Sequence, residues 1–157
     1  MVQSSRAADK RMRLPGWSRP PRVYVDAKIL NVHDPSLPRE AYVGYVTEEG
    51  KPRNAKELEE DEIGMIGRLE SDDAEVLAIL FAIEDLKKRM KRFTIVCDHE
   101  SVVSEAKREV VKNPSPLMAK LREALRQNPM VGLEVLQANP AHGVVTEFVN
   151  SVRSSTD

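Results

Sequence analysis

The amino-acid sequence predicts an α/β domain built on a mixed five-stranded sheet. Three strand-like segments follow one another closely in the N-terminal half, which suits an antiparallel meander. Beyond them, short apolar segments alternate with helix-like ones, which suits parallel strands joined by helices. The predicted element order is β-β-β-α-β-α-α-β-α, a five-stranded mixed sheet flanked by helices.

The three N-terminal strands are predicted from β-rich composition between turn signals. Residues 22–32 end before a His-Asp-Pro turn, and Glu40–Thr47 is closed by a Glu-Glu-Gly turn. Residues 51–62 are polar, and we interpret them as a loop or as an exposed start of the next strand. Residues 63–69 are the predicted third strand.

The period then changes to that of a helix. Ser71 is a predicted N-cap, followed by two Asp residues that suit the first turn. Residues 74–92 contain no Gly or Pro and form a predicted long helix. Because residues 76–83 are apolar all round, this helix should be buried on most sides.

The C-terminal half is predicted as alternating strands and helices. Phe93–Cys97 is a short apolar run, typical of a buried parallel strand. The remaining predicted elements are a helix over residues 101–112, a helix over Pro116–Gln127, a strand over residues 133–136 and a final helix over residues 141–152.

The distribution of charge along the chain is more informative than the net charge. The 157 residues fit a single domain, and a net charge of -1 names no partner. Residues 1–21 contain several Pro and read as a basic, poorly ordered arm before a domain over residues 22–153 and a tail over 154–157. Residues 1–22 hold Arg6, Lys10, Arg11, Arg13, Arg19 and Arg22 against Asp9. Such an arm either grips nucleic-acid phosphates or is a solvated tail, and Trp17 either stacks on a base or pins the arm to the domain.

Cysteine content and hydropathy exclude several classes of protein. Cys97 is the only cysteine, so an internal disulfide and a Cys-rich zinc site are excluded. No run reaches the roughly 18 apolar residues of a membrane helix. The first residues form no apolar signal-peptide core, so we expect a cytoplasmic protein with no membrane partner.

Four acidic residues occupy unusual positions. Asp26 interrupts an apolar strand, Glu75 precedes eight consecutive apolar residues, Asp98 directly follows a buried strand, and Glu147 lies between apolar pairs in the last helix. Each alone suits a strand or helix end that faces water. Burying all four together is costly unless cations neutralise them, and two Mg²⁺ ions about 4 Å apart support phosphodiester cleavage.

The segments that hold these acids resemble ribonuclease H type 1 within the larger ribonuclease H-like fold. Ser71–Leu86 (SDDAEVLAILFAIEDL) is similar to the family's helix, in which a Glu precedes an apolar stretch with Ala. Residues 93–98 (FTIVCD) resemble the strand that ends in the second Asp, and residues 23–26 (VYVD) the first strand and its Asp. Residues 141–152 stand in the place of the final loop and helix, so the resemblance covers residues 22–153.

The resemblance implies an activity and a set of site residues. Asp26, Glu75, Asp98 and Glu147 would hold two Mg²⁺ (or Mn²⁺) ions that activate water and stabilise the leaving 3′ oxygen of an RNA strand paired with DNA. His142 lies where the family carries a His that assists proton transfer or product release, although a loop His is also common at a plain surface. Oligomeric state is left open.

Departures from the family pattern keep a second function open. The family follows its first Asp with Gly, whereas Asp26 is followed by Ala27 and Lys28. It follows its third acid with Ser, where this chain has His99, and its fourth acid is Asp rather than Glu147. The alternatives are therefore an active metal-dependent nuclease, an inactive nucleic-acid-binding or assembly module, and an unrelated α/β domain with scattered surface acids.

Overall fold

The computed structural model describes residues 19–30, 36, 40–59, 70–137 and 139–155, with side chains as far as Val152. The described elements are β1 (Arg22–Leu30), β2 (Glu40–Thr47), β3 (Arg53–Glu57), α1 (Ser71–Leu86), β4 (Phe93–Cys97), α2 (Glu100–Lys107), α3 (Pro116–Gln127), β5 (Val131–Val135) and α4 (Ala141–Ser155). Their order along the chain confirms the predicted β-β-β-α-β-α-α-β-α sequence.

The strands form one mixed sheet in the spatial order β3-β2-β1-β4-β5. β1 pairs antiparallel with β2, and β2 pairs antiparallel with β3. β4 pairs parallel with β1 and with β5. The predicted mixed five-stranded α/β architecture is therefore confirmed, with β1 and β4 side by side at its centre.

The third strand of the described sheet lies before the segment predicted as the third strand, within residues 51–62, for which an exposed start of a strand was one interpretation. β3 covers Arg53–Glu57, inside the stretch interpreted as a loop or an exposed start of a strand, and it pairs with β2 from Tyr42↔Glu57 to Val46↔Arg53. Residues 63–69, the predicted strand, lie outside the described residues. β3 is an edge strand whose side chains are exposed or half-buried, so its sequence lacks the apolar alternation that marks a strand with a buried face.

The boundaries of α1 follow from its caps. The N-cap is Glu70 rather than Ser71, and Glu70 and Asp73 form a capping box in which the Glu70 backbone N–H donates to Asp73 Oδ2 at 3.2 Å. The helix ends at Leu86, six residues before its predicted end, and the amides of Arg89 and Met90 both donate to the Leu86 carbonyl at 2.8 Å. The basic run therefore forms a turn instead of a last helical turn.

A single guanidinium closes the C-terminal end of α2. The prediction extended this helix to residue 112, but it ends at Lys107 because Arg108 is extended. Arg122 of α3 donates to the carbonyls of Glu105, Ala106, Arg108 and Glu109 at 2.7–3.2 Å. These bonds satisfy carbonyls that the end of a helix leaves without partners, and they join α2 to α3.

The smaller boundary errors concern β5 and α4. β5 begins at Val131, two residues before the predicted start, and α4 extends to Ser155, past the predicted end at residue 152. Helix and strand ends are weakly specified by local sequence because fraying and capping shift them by a residue or two.

Helices cover both faces of the sheet. The larger apolar cluster joins α1, α2 and α3 to one face, and includes Val25, Tyr45, Ile79, Ile95 and Leu121. On the other face α4 packs Val145 and Val149 against Tyr42, with Leu30 and Phe148 at the margin. The point where β4 ends beside the middle of β1 thus lies between α1 on one side of the sheet and α4 on the other.

The predicted N-terminal arm lies mostly outside the described residues. The described chain starts at Arg19, whose guanidinium pairs with Glu48 at 3.0 Å, while the Thr94 amide donates to the Pro21 carbonyl at 2.9 Å. Residues 19–21, which the sequence placed in the arm, thus contact the sheet. At the other end, α4 reaches into the predicted tail, and residues 156–157 lie outside the described part.

None of the helices in the described ranges is both long and apolar enough to cross a membrane.

Gly44 permits α4 to lie close to the sheet. A Cβ at this position would be 2.8 Å from Val145 Cγ2 and 3.2 Å from Ala55 Cβ, which is overpacking. We expect Gly44→Ala to lower the free energy of unfolding by about 1–3 kcal/mol. Adding Val145→Ala should make the double variant less destabilised than the sum of the two single effects.

Urea unfolding measures these changes, with Gly143→Ala of α4 as the control. A Cβ on Gly143 meets no atom within 4 Å, so this substitution should stabilise the protein by about 0.5–1 kcal/mol through helix propensity. Equal stability of Gly44→Ala and wild type would contradict close packing of α4 on β2.

Candidate metal centre

The parallel pairing of β1 with β4 brings two acidic residues close together. The parallel register matches Tyr24 with Val96, and Asp26 and Asp98 each lie two residues farther along their strands. Asp26 is 8% exposed, and the side chain of Asp98 is 31% exposed. The C-terminal edge of parallel strands, where α/β proteins place ligand sites, therefore presents two neighbouring carboxylates.

Glu75 reaches the same edge from the first turns of α1. The apolar residues around it bury the helix against the sheet, which leaves Glu75 only 1% exposed. Among the described residues, its Oε2 atom and Asp98 Oδ1 are buried without a hydrogen-bond partner. Buried acceptors without partners are costly, so this pair of oxygens is suited to a group that supplies positive charge.

Burial and mutual repulsion shift the acids toward their neutral forms. Burial, followed by the charges of Asp98 and Asp26, raises the pKa of Glu75 to about 9, although a hydrogen bond with the Cys97 thiol acts in the opposite direction. Burial raises the pKa of Asp26 as well, with a smaller contribution from Asp98. The three carboxylates Asp26, Glu75 and Asp98 therefore form one electrostatically coupled group.

His99 joins this group immediately after Asp98. Its Nε2 atom lies 3.6 Å from Asp98 Oδ1 and 3.9 Å from Glu75 Oε1. One ligand atom from each of Glu75, Asp98 and His99 lies within 4.8 Å of the others, an arrangement that can hold a metal ion. On the other side of the ring, Nδ1 lies 3.1 Å from Asp72 Oδ1.

His142 lies against Asp26 from the opposite face of the sheet. Asn139 fixes the start of α4, since its Nδ2 donates to the Val25 carbonyl at 2.7 Å and its Oδ1 accepts from the Ala141 amide at 3.0 Å. His142 follows in the first turn of α4, with Nδ1 3.1 Å from Asp26 Oδ2. Its hydrogen bond lowers the pKa of Asp26, against the larger effect of burial.

Glu147 does not share this environment. It lies five residues beyond His142 on α4, is exposed, and lines a separate pocket with Tyr24, Thr47 and Glu48. Within the described part of the chain, Glu147 is not among the charges that raise the pKa of Asp26 or of Glu75. The structure thus brings three of the four predicted acids together. From α4, it is His142 that contacts Asp26, whereas Glu147 lines another pocket.

A cleft of about 320 Å³ opens beside Glu75. It is lined by Glu75 and His99 together with Ala27, Ile29, Glu70, Ser71 and Ala74. The opening lies between the start of α1 and the second half of β1, so an ion or a phosphate group can approach Glu75 from this side.

Three residues of the site were not predicted from the sequence. In the sequence, His99 marks only a departure from a family pattern, Asp72 is one of two acidic residues that suit a helix start, and Asn139 carries no site prediction. A His that directly follows a strand-end Asp is a detectable signal, since both side chains stand at the same edge. The contacts of Asp72 and Asn139 join distant segments and leave no local signal.

Compared by sequence, the chain matches no protein-family model and no curated protein. Similarity is found with solved structures instead. A native protease-reverse transcriptase of prototype foamy virus matches with a TM-score of 0.57 and 19% identity over 77% of this chain, which spans only 18% of that chain.

Two further structures match over most of their length. The foamy viral protease-reverse transcriptase in complex with dsDNA gives a TM-score of 0.60 and 16% identity, covering 85% of this chain and 92% of that one. RNase H1 from the halophilic archaeon Halobacterium salinarum NRC-1 gives a TM-score of 0.54 and 16% identity, covering 81% of this chain and 91% of that one. At this identity the likeness concerns the fold, and the chain has the ribonuclease H-like fold that its sequence predicted.

The raised pKa of Glu75 predicts how stability depends on pH without metal. The unfolded chain loses this proton near 4.5, and the folded chain keeps it until about 9. The folded state therefore binds more protons across this window, so in EDTA the free energy of unfolding should fall as pH rises from 5 to 9. Glu75→Gln should flatten this fall.

Thermal unfolding at several pH values tests this expectation. Glu84→Gln is the control, because Glu84 lies on the same helix with a side chain that is 68% exposed and should retain the wild-type slope. A wild-type slope in Glu75→Gln would show that the Glu75 carboxylate is ionised in the folded protein.

Proposed function

We propose that this chain is a metal-dependent nuclease that hydrolyses the RNA strand of RNA/DNA hybrids, with Asp26, Glu75 and Asp98 as carboxylate ligands of two divalent ions. The observation that carries the proposal is Glu75, a carboxylate that is 1% exposed, has one oxygen without a partner, and faces two further acids. A buried cluster of this kind is stabilised when cations neutralise it. The ribonuclease H-like fold supports the class of reaction.

The residues present fit hard divalent cations. Mg²⁺ and Mn²⁺ prefer carboxylate oxygens, and the unpartnered oxygens of Glu75 and Asp98 are such donors. When bound, such ions activate water and stabilise the leaving oxygen of a phosphodiester. The protein's own contribution is to hold the three carboxylates at fixed positions and to exclude bulk water from Glu75.

Each ligand is held by a different element, which gives the site its rigidity. Asp26 belongs to a central strand, Asp98 follows the neighbouring strand, and Glu75 belongs to a helix packed across both. Glu147 is left out of the proposed ligand set because it is exposed and lines another pocket. We assign it no direct part in hydrolysis.

His142 is placed for proton transfer at the rim of the site. Its side chain is 73% exposed, so it exchanges protons with solvent, while Asp26 orients the ring through Nδ1. In this arrangement Nε2 is the atom that takes or gives a proton near the scissile phosphate.

A second function, an inactive nucleic-acid-binding module, is favoured by one observation. Asp26 and Glu75 each have an imidazole nitrogen nearby, that of His142 at 3.1 Å and that of His99 at 3.9 Å, so polar partners for both acids are present without an ion. In that case the fold would bind nucleic acid and leave it intact.

Cleavage of a labelled RNA/DNA hybrid with Mg²⁺ or Mn²⁺ separates the two functions. We expect wild type to cut the RNA strand, and Asp26→Asn and Glu75→Gln to cut at least about a hundredfold more slowly, because an amide keeps the shape and removes the charge. Glu84→Gln and Glu147→Gln should retain most of the activity.

Binding is measured in parallel by fluorescence anisotropy of the same hybrid. Tight binding by wild type with no cleavage in either metal would overturn the nuclease and leave the binding module. DNA and RNA duplexes of the same sequence serve as substrate controls, since the proposal expects cleavage of the hybrid RNA strand.

Removal of the His142 imidazole should affect turnover alone. We expect His142→Ala to lower kcat about a hundredfold, the usual contribution of general acid–base catalysis, with Kd for the hybrid unchanged. An unchanged kcat would assign His142 to the surface and not to the reaction.

A further inference from the structure

We propose that His99 is a nitrogen ligand of the ion at Glu75 and Asp98, and that the site therefore selects a first-row transition ion such as Mn²⁺ over Mg²⁺. This inference rests on the proposed function only for the presence of a divalent ion between these two acids. Neither the position nor the residue type follows from the family resemblance, which has Ser after the third acid.

The distances around Nε2 suit an ion and do not suit hydrogen bonds. The atom lies 3.6 Å from Asp98 Oδ1 and 3.9 Å from Glu75 Oε1, beyond hydrogen-bonding range. Two donors on one ion with bonds of about 2.1 Å are at most about 4.2 Å apart. Both distances lie below that limit, and the ligand atoms of Glu75 and Asp98 lie within 4.8 Å of each other, so small side-chain movements bring all three residues within reach of one ion.

The other ring nitrogen is already engaged by a carboxylate. Asp72 Oδ1 lies 3.1 Å from Nδ1, and Asp72 Oδ2 accepts a hydrogen bond from Ser101 Oγ at 3.3 Å. A metal-binding His ordinarily donates its second N–H to a carboxylate in this way, which fixes the tautomer and leaves the Nε2 lone pair free. Asp72 therefore positions His99 with its lone pair toward Glu75 and Asp98.

Glu75 supplies evidence independent of the histidine. Its side chain is 1% exposed, and Oε2 has no hydrogen-bond partner among the described residues. This buried oxygen is therefore available as a metal ligand. The cleft of about 320 Å³ is lined by both Glu75 and His99 and gives an ion a path to them.

The donor set decides which ion is preferred. Mg²⁺ is a hard cation that takes oxygen ligands and retains its water, whereas imidazole nitrogen binds the transition ions more strongly. Replacing one oxygen or water ligand by Nε2 therefore favours Mn²⁺ and the ions after it in the first row. Mg²⁺ gains little from the same nitrogen.

Isothermal titration of the full chain with Mn²⁺ and with Mg²⁺ tests the preference. Wild type should bind Mn²⁺ more tightly than Mg²⁺. His99→Ser should lower the Mn²⁺ affinity about tenfold or more and leave the Mg²⁺ affinity nearly unchanged. His99→Asn is the matched variant, since its amide keeps the contact with Asp72 and removes Nε2.

Pulsed electron paramagnetic resonance of the Mn²⁺-loaded protein reads the ligand directly. Wild type and His142→Ala should show nitrogen coupling to Mn²⁺, and His99→Ser and His99→Asn should lose it. Thermal unfolding of the His99→Asn variant like that of wild type excludes a structural cause.

The outcomes separate this inference from the nuclease proposal. Nitrogen coupling that depends on His99, without hybrid cleavage, supports the ligand and overturns the nuclease. Hybrid cleavage with equal Mn²⁺ to Mg²⁺ affinity ratios in wild type and His99→Ser overturns the ligand and keeps the nuclease. Coupling that persists in His99→Asn and disappears in His142→Ala, or no Mn²⁺ binding at all, also overturns the inference.

Discussion

The site depends on one interaction, the electrostatic repulsion among the carboxylates of Asp26, Glu75 and Asp98. Glu75 stands at the start of α1, and the charges of Asp26 and Asp98 both raise its pKa. Such a group is unfavourable in the folded state unless a proton or a cation neutralises it. The surrounding elements must therefore be stable enough to hold the acids together, and α1 provides much of that stability by burying its apolar side chains against the sheet.

The same constraint explains why the site lies between layers and not on one surface. α1 approaches from one face of the sheet with Glu75, and α4 approaches from the other with His142 against Asp26. Gly44 allows the close approach of α4, since any side chain there would meet Val145. Asn139 then ties the start of α4 to the β1 backbone. Packing on both faces thus fixes the separation between the acids and their histidines.

Sequence reasoning found the elements whose residues bury an apolar face. β4 and α1 are recognisable because their apolar runs have the length and period of a buried strand and helix. β3 was misplaced because an exposed edge strand of composition RNAKE carries no such pattern, and the C-terminal ends of α1 and α2 were overextended. The end of α2 is stabilised by hydrogen bonds from Arg122, which is distant in sequence, so no local pattern predicts it.

For the site, the positions of Asp26 within β1, Glu75 near the start of α1 and Asp98 directly after β4 were enough to group them. Glu147 is exposed on α4 and lines a separate pocket, and its place in the sequence does not tell which residues of that helix face the other acids. The place of His99 in the site could be recognised only in the structure, because its ring is oriented by Asp72 on another element.

The bonds from Arg122 have a mechanical consequence for the other end of α2. This eight-residue helix begins directly after His99, and its far end is clamped to α3 by four carbonyl contacts. A helix this short, held at one end by a planar guanidinium and at the other by the ring contact with Asp72, has little freedom to swing. For the proposed metal site, His99 is thus held in place before an ion binds, so binding would require little loss of conformational entropy.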